Sequence, residues 1–189
     1  MFFEAIIIGI IFGWTKKGRL SNLSEINFKY YYLILISVMI QILPFFIENQ
    51  NLIKNYKYLS IISLIIVIVF VVLNLNKNGF FVVLLGTICH LIGYIINNFK
   101  VPVLININSS EKLLNLKFLI DINEIPNYKT YYEFENVNQY FGKIFIMPEW
   151  YPLTKYFSIG DVLVFIGIVL FIKNQMIIHK KSSFVRYRE

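Results

Sequence analysis

The chain has 189 residues, 57% of them hydrophobic and only 15% charged, with a mean hydropathy of +0.63. Soluble domains carry closer to about a quarter charged residues, so this composition predicts an integral membrane protein. The formal charge of +7 could point to nucleic acid. Its basic residues instead gather in short loops beside apolar segments, which reads as membrane topology and lipid contact and leaves no nucleic-acid partner. The single cysteine, Cys89, excludes a disulfide framework and a cysteine-rich metal site. No signal peptide is expected, because the N-terminus lacks a basic region, carries Glu4 and offers no small-residue cleavage site.

In chain order, residues 2–14 form an apolar segment that covers only about 20 Å as a helix, short for a hydrocarbon core of about 30 Å. It either spans with local thinning or lies in the interface. Gly9 and Gly13 make a GxxxG pattern that permits close helix approach. A basic loop with Lys16, Lys17, Arg19 and Lys29 follows. Residues 28–47 make a full-length span opened by the interfacial aromatics Tyr30 to Tyr32 and interrupted by Gln41 and Pro44. Residues 58–75 are the most lipid-like span, and the short connection Asn76 to Gly79 makes residues 80–96 an antiparallel neighbour. Gly86, His90 and Gly93 share one face of that helix, a small and polar stripe that should point into the bundle.

Residues 97–156 are too long and polar for a simple connector. Within them Ser109 to Ile120 reads as a short capped helix, with Ser109 at the N-cap and Pro126 barring continuation. Tyr131 to Ile146 reads either as a hairpin or as a membrane-hugging segment. Residues 157–173 form the last span, and residues 174–189 a basic tail with Lys180, Lys181, Arg186 and Arg188. The fold expected is therefore an all-α membrane bundle of five transmembrane helices, four if the first is interfacial, with one long outer loop between the last two.

Charge sets the threading. An outside N-terminus places Lys16, Lys17, Arg19, Lys29, Lys77, Lys173 and the four basic residues of the tail in the cytoplasm, which satisfies the positive-inside rule. The location expected is the plasma membrane, with the tail against anionic lipids of the cytoplasmic face. This threading brings Glu4, Gln41, Ser63, His90 and Asp161 to similar depth beneath the outer loop, a candidate outward-facing polar pocket. Each has a plainer role beside this one. Ser158 three residues before Asp161 is the capping-box spacing, so Asp161 is a helix cap first and a site second. Glu4 can be interfacial, His90 an interhelical hydrogen-bonder and Gln41 glue between helices. No catalytic residue, cofactor site or metal ligand is assigned.

Three places carry a likeness to a known family: Gly18 to Leu23, Val101 to Val103, and Phe157 to Val162. Through them the chain resembles domain-of-unknown-function family 5317, small bacterial multi-pass membrane proteins. It departs from the pattern at Phe141, Gly142 and Lys143, where the resemblance implies an acid after the glycine. That family brings no activity with it. The expected function is a non-enzymatic membrane component, either an accessory subunit with a membrane-protein partner or a unit that binds or transports a small solute or ion. Nucleotide-binding and hydrolase motifs are absent from the sequence. The alternatives are a lipid-contacting scaffold that recruits a partner through the outer loop or tail, and a membrane-embedded enzyme acting on lipids or isoprenoid carriers through Asp161, Glu4 or His90.

Overall fold

The structure is a computed structural model, which describes residues 2–46, 56–104, 111–121, 128–131, 140–147, 151 and 156–177. Lys180, Lys181, Arg186 and Arg188 of the tail, Ser109 and Pro126 lie outside these residues, whereas residues 174–177, expected in the tail, continue the last helix. Six α-helices are described: α1 (Phe2–Thr15), α2 (Tyr32–Phe46), α3 (Tyr56–Leu73), α4 (Phe80–Ile96), α5 (Glu111–Asp121) and α6 (Ile159–Ile177). Four short strands add β structure that the all-α expectation did not include: β1 (Val101–Leu104), β2 (Tyr128–Tyr131), β3 (Phe145–Ile146) and β4 (Tyr156–Phe157). β1 and β2 pair in parallel, with Val101 opposite Tyr128, and β3 and β4 pair antiparallel.

α6 is the hub of the bundle. It packs along α1 on one side and α4 on the other, α4 packs on α3, and α3 on α2. Small residues make both of its contacts close. A Cβ added at Gly86 of α4 would lie 2.7 Å from the carbonyl oxygen of Gly160 and 2.8 Å from the Val164 nitrogen. Gly9 and Gly13 of α1 lie against Ile172 and Met176. These contacts also fix direction: α1 runs parallel to α6, and α4 runs opposite to it. Gly79, in the left-handed region at φ 90°, makes the sharp start of α4 that only a residue lacking Cβ adopts freely.

Two polar clusters join the remaining helices. Between α2 and α3, the buried hydroxyls of Ser37 and Ser63 lie 2.7 Å apart, and the Gln41 amide donates to Ser63 Oγ at 2.7 Å. At the opposite end of the bundle, the buried Asn74 side chain accepts from the Lys29 N–H at 2.9 Å and donates to the carbonyls of Lys29 and Phe70. The span expected over residues 28–47 begins later as a helix, at Tyr32, because Tyr30 takes a left-handed φ of 54°. Phe28 instead turns inward, its ring within 6 Å of those of Phe70, Phe80 and Phe171.

The outer segment folds over one end of α3, α4 and α6. Val103 and Ile120 form its small core with Tyr128 and Tyr156 against them. β1 bonds on its other side to Lys143, through Lys143 N–H to Pro102 at 2.7 Å and Leu104 N–H to Lys143 at 3.1 Å. Phe141 seats on Gly93 of α4.

Because two of the three atoms nearest Gly86 are backbone, Gly86→Ala is expected to cost about 1–3 kcal/mol by overpacking. Gly13→Ala faces chiefly the flexible end of Met176 and should cost less. Thermal unfolding of both variants in a mild detergent checks the order, and equal costs would contradict the geometry.

Candidate functional site

Ser158 and Asp161 start α6 with reciprocal bonds. The Ser158 N–H donates to Asp161 Oδ2 at 2.7 Å, the Ser158 hydroxyl donates to the same oxygen at 3.0 Å, and the Asp161 N–H donates to Ser158 Oγ at 3.1 Å. Two otherwise orphaned N–H donors at the helix start are thereby satisfied. The second carboxylate oxygen, Oδ1, lies 3.4 Å from His90 Nε2 on α4. The glycine contact beneath explains this nearness: His90 stands one turn beyond Gly86, and its ring covers Gly160.

These groups border a cavity of about 530 Å³ between the helices and the outer segment. Gln41 comes from α2, Ser60 from α3, His90 from α4 and Asp161 from α6, while Tyr128 and Lys143 come from the outer segment. The five residues expected at one depth therefore separate. Gln41, His90 and Asp161 share this wall. Ser63 is buried between α2 and α3, one bond behind Gln41. Glu4 lies apart on α1, where the Tyr151 hydroxyl donates to it at 3.3 Å. Depth along a span says nothing about azimuth, and α1 stands behind α6 from the cavity.

Lys143 is the residue that sequence reasoning passed over. Its ammonium stands over the rings of Tyr128, at 5.7 Å, and Tyr156, at 5.3 Å, contacts that hold a cation by the ring quadrupole. Burial pushes the Tyr156 hydroxyl above its ordinary pKa, with Tyr128 adding to the rise and Lys143 opposing it. The only local signal was the departure at Phe141 to Lys143, and the contacts come from strand pairing far along the chain. Among the described residues no three His, Cys, Asp or Glu side chains gather as a metal site. Chemically, the arrangement offers hydrogen-bond donors, one fixed cation, and a carboxylate already engaged by Ser158 and His90.

The fold defines a class: a predominantly helical protein, two of whose helices, Tyr56–Leu73 and Ile159–Ile177, are long and apolar enough to cross a membrane. A family model matches residues 25–173, and the chain belongs to that family, described as a family of unknown function (DUF5317). The matched region includes Val101 to Val103 and Phe157 to Val162 and begins just after Gly18 to Leu23. No curated protein and no solved structure matches.

Ser158→Ala is expected to lower stability by about 1 kcal/mol, the worth of an N-cap. Asp161→Ala should cost more, because it also removes the partner of His90. A double-mutant cycle on His90→Ala and Asp161→Ala, read by denaturant titration in detergent, should give a coupling of about 0.5–1 kcal/mol. Strict additivity would mean that the two groups are neighbours without an interaction.

Proposed function

We propose that the protein is a five-span integral protein of the plasma membrane, with its N-terminus outside and C-terminus inside. In this reading it binds or conducts a small polar solute or ion, without catalysis, at an outward-facing pocket. The observation that carries the reading is the cavity itself. Its volume falls within the range of about 300–1,000 Å³ usual for small-molecule sites. Four helices each contribute a polar side chain to it, and an ionisable group in a span is costly unless it lines a path or a site.

The membrane reading is supported by the side chains that face outward. Phe3 and Trp14 of α1, Leu35 and Met39 of α2, and Ile62 of α3 are exposed, and Phe81 of α4 is 62% exposed. Apolar surface of that extent around a bundle fits lipid rather than water. The alternating directions of α2, α3, α4 and α6, with α1 parallel to α6, match successive crossings. They bring Lys16, Lys17, Arg19, Lys29, Lys77 and Lys173 to one end, away from the outer segment, as the positive-inside rule requires. The basic tail, at that same end in this threading, would meet anionic lipid.

A second reading rests on the 3.4 Å spacing of His90 and Asp161. A carboxylate beside an imidazole can orient it as a general base, here toward a membrane lipid or isoprenoid carrier.

Orientation is tested in a Cys89→Ser background. An impermeant maleimide added to intact cells should label Lys100→Cys and spare Lys77→Cys. The opposite pattern would invert the threading, and labelling of both would remove α4 as a crossing. The pocket is tested by flux of monovalent cations and small zwitterions into reconstituted vesicles. Asp161→Asn and His90→Ala are each expected to cut flux at least tenfold. Wild-type flux unaltered by both changes would remove the pocket's role, and turnover of an added lipid with no flux would favour the enzymatic reading.

A further inference from the structure

We infer that the pocket takes the head group of an anionic phospholipid, with the phosphate at Lys143 and the chain in an adjoining apolar groove. This rests on the reading of the cavity as an outward-facing binding site and names its ligand class. A second cavity, of about 240 Å³, lies beside the first and shares two of its residues, Lys143 and Asp161. Apart from the Tyr156 hydroxyl the rest of its wall is apolar: Phe2 of α1 and Val164, Phe165 and Ile168 of α6. One polar chamber and one apolar chamber thus meet at a single ammonium. From Asp161 to Ile168 the helix rises about 10 Å, so the groove runs well into a leaflet about 15 Å deep. An amphiphile is the ligand that fits both chambers at once.

The chemistry of the head group follows from which hydrogen-bonding groups are engaged. Both oxygens of Asp161 have partners, Oδ2 taking two bonds from Ser158 and Oδ1 facing His90. Lys143 stands on two aromatic faces, which hold its charge without taking its N–H donors as a carboxylate would. Lys143 is close enough to act on the Asp161 charge, yet among the described residues its N–H donors are the hydrogen-bonding capacity left open at the junction, and a lysine is a suitable point-charge partner for a phosphate. The size of the polar chamber favours phosphate over a fatty acid. A bare carboxylate would leave most of the 530 Å³ empty, whereas a glycerophosphate head occupies it and meets Gln41 and Ser60 on the far wall.

The test uses the full chain purified in a neutral maltoside detergent. Binding of lysophosphatidylglycerol is measured by native mass spectrometry, with lysophosphatidylcholine and glycerophosphoglycerol as zwitterionic and head-only probes. One lysophosphatidylglycerol per chain is expected, at least tenfold tighter than lysophosphatidylcholine. Lys143→Gln should weaken it at least tenfold and Lys143→Arg should restore it. Phe2→Ala, at the exposed end of α1 where the fold tolerates change, should weaken it at least threefold and leave glycerophosphoglycerol unaffected. Circular dichroism of each variant separates loss of binding from loss of fold. Lysophosphatidylglycerol binding indifferent to both Lys143→Gln and Phe2→Ala would be adventitious and would overturn the inference. Head-only binding equal to lysolipid binding would also overturn it while leaving the pocket a solute site. If neither probe binds but cation flux persists, the lipid inference falls alone, and if flux is absent too, both readings fall.

Discussion

The close approach of α4 and α6 is the contact on which the other arrangements rest. Helices with ordinary side chains at their interface stand about 8–10 Å apart. Gly86 and Gly160 face each other here with no Cβ between, and Gly79 and Gly167 repeat the contact farther along. The four positions fix the crossing at two points, so neither rotation nor sliding of α6 is free. Everything that follows the start of α6 is set by that fix. Asp161 comes one residue after Gly160, and His90 one turn after Gly86, so the carboxylate and the imidazole meet because the glycines do.

The outer segment is positioned from the same place. β4 ends at Phe157, the residue before the N-cap Ser158, so the strand pairing of β3 with β4 is tied directly to the first turn of α6. On the other side β1 begins shortly after α4 ends, and its bond to Lys143 holds the returning chain over Gly93. The segment therefore has two covalent anchors on the very helices that the glycines lock together. Among its described residues, Lys143 is held in place by backbone bonds on both of its peptide groups, to Pro102 and Leu104 of β1.

Much of this was legible in the sequence where the signal is local. The stripe Gly86, His90, Gly93 has helical spacing, and it does face α6 and the outer segment. Ser158 and Asp161 have capping spacing, and their reciprocal bonds are present in the structure. The positions of Lys143 and Tyr128 were not legible, since they follow from parallel pairing of β1 with β2 and from a bridge to Val103, contacts between residues about 25 to 40 apart in sequence. Nonlocal pairing of this kind leaves no periodic trace. A hairpin is one of the two sequence readings of Tyr131 to Ile146, but the observed strands and their pairings are not legible, since strands of two to four residues such as Val101 to Leu104 are too short for a clear alternation. Phe28 was placed in a span because it is apolar and borders one, yet its ring closes the core from a loop. Glu4 was grouped with Asp161 by depth alone, and the order of helices across the bundle separates them.

Both ends of the bundle use polar side chains to satisfy helix termini, and the further polar groups at one end bear on what the cavity is. At the end bearing the basic loops, the amides of Asn22 and Asn74 go to backbone carbonyls, Asn22 to that of Met176 and Asn74 to those of Lys29 and Phe70. Those of Met176 and Phe70 are carbonyls that a helix end leaves unsatisfied, and the asparagines satisfy them. At the opposite end the Asn97 amide does the same for the Gly93 carbonyl near the end of α4, and the Ser158–Asp161 box serves the start of α6. Gln41, His90 and Lys143 nonetheless stand around an open volume there. An empty space that arises from imperfect packing is lined by apolar atoms and stays dry. This one is ringed by donors and a cation that no helix end requires, and the cost of placing such groups within an apolar bundle is compensated when a polar ligand or water meets them. That surplus of polar groups over backbone need is the physical ground on which the proposed binding site rests.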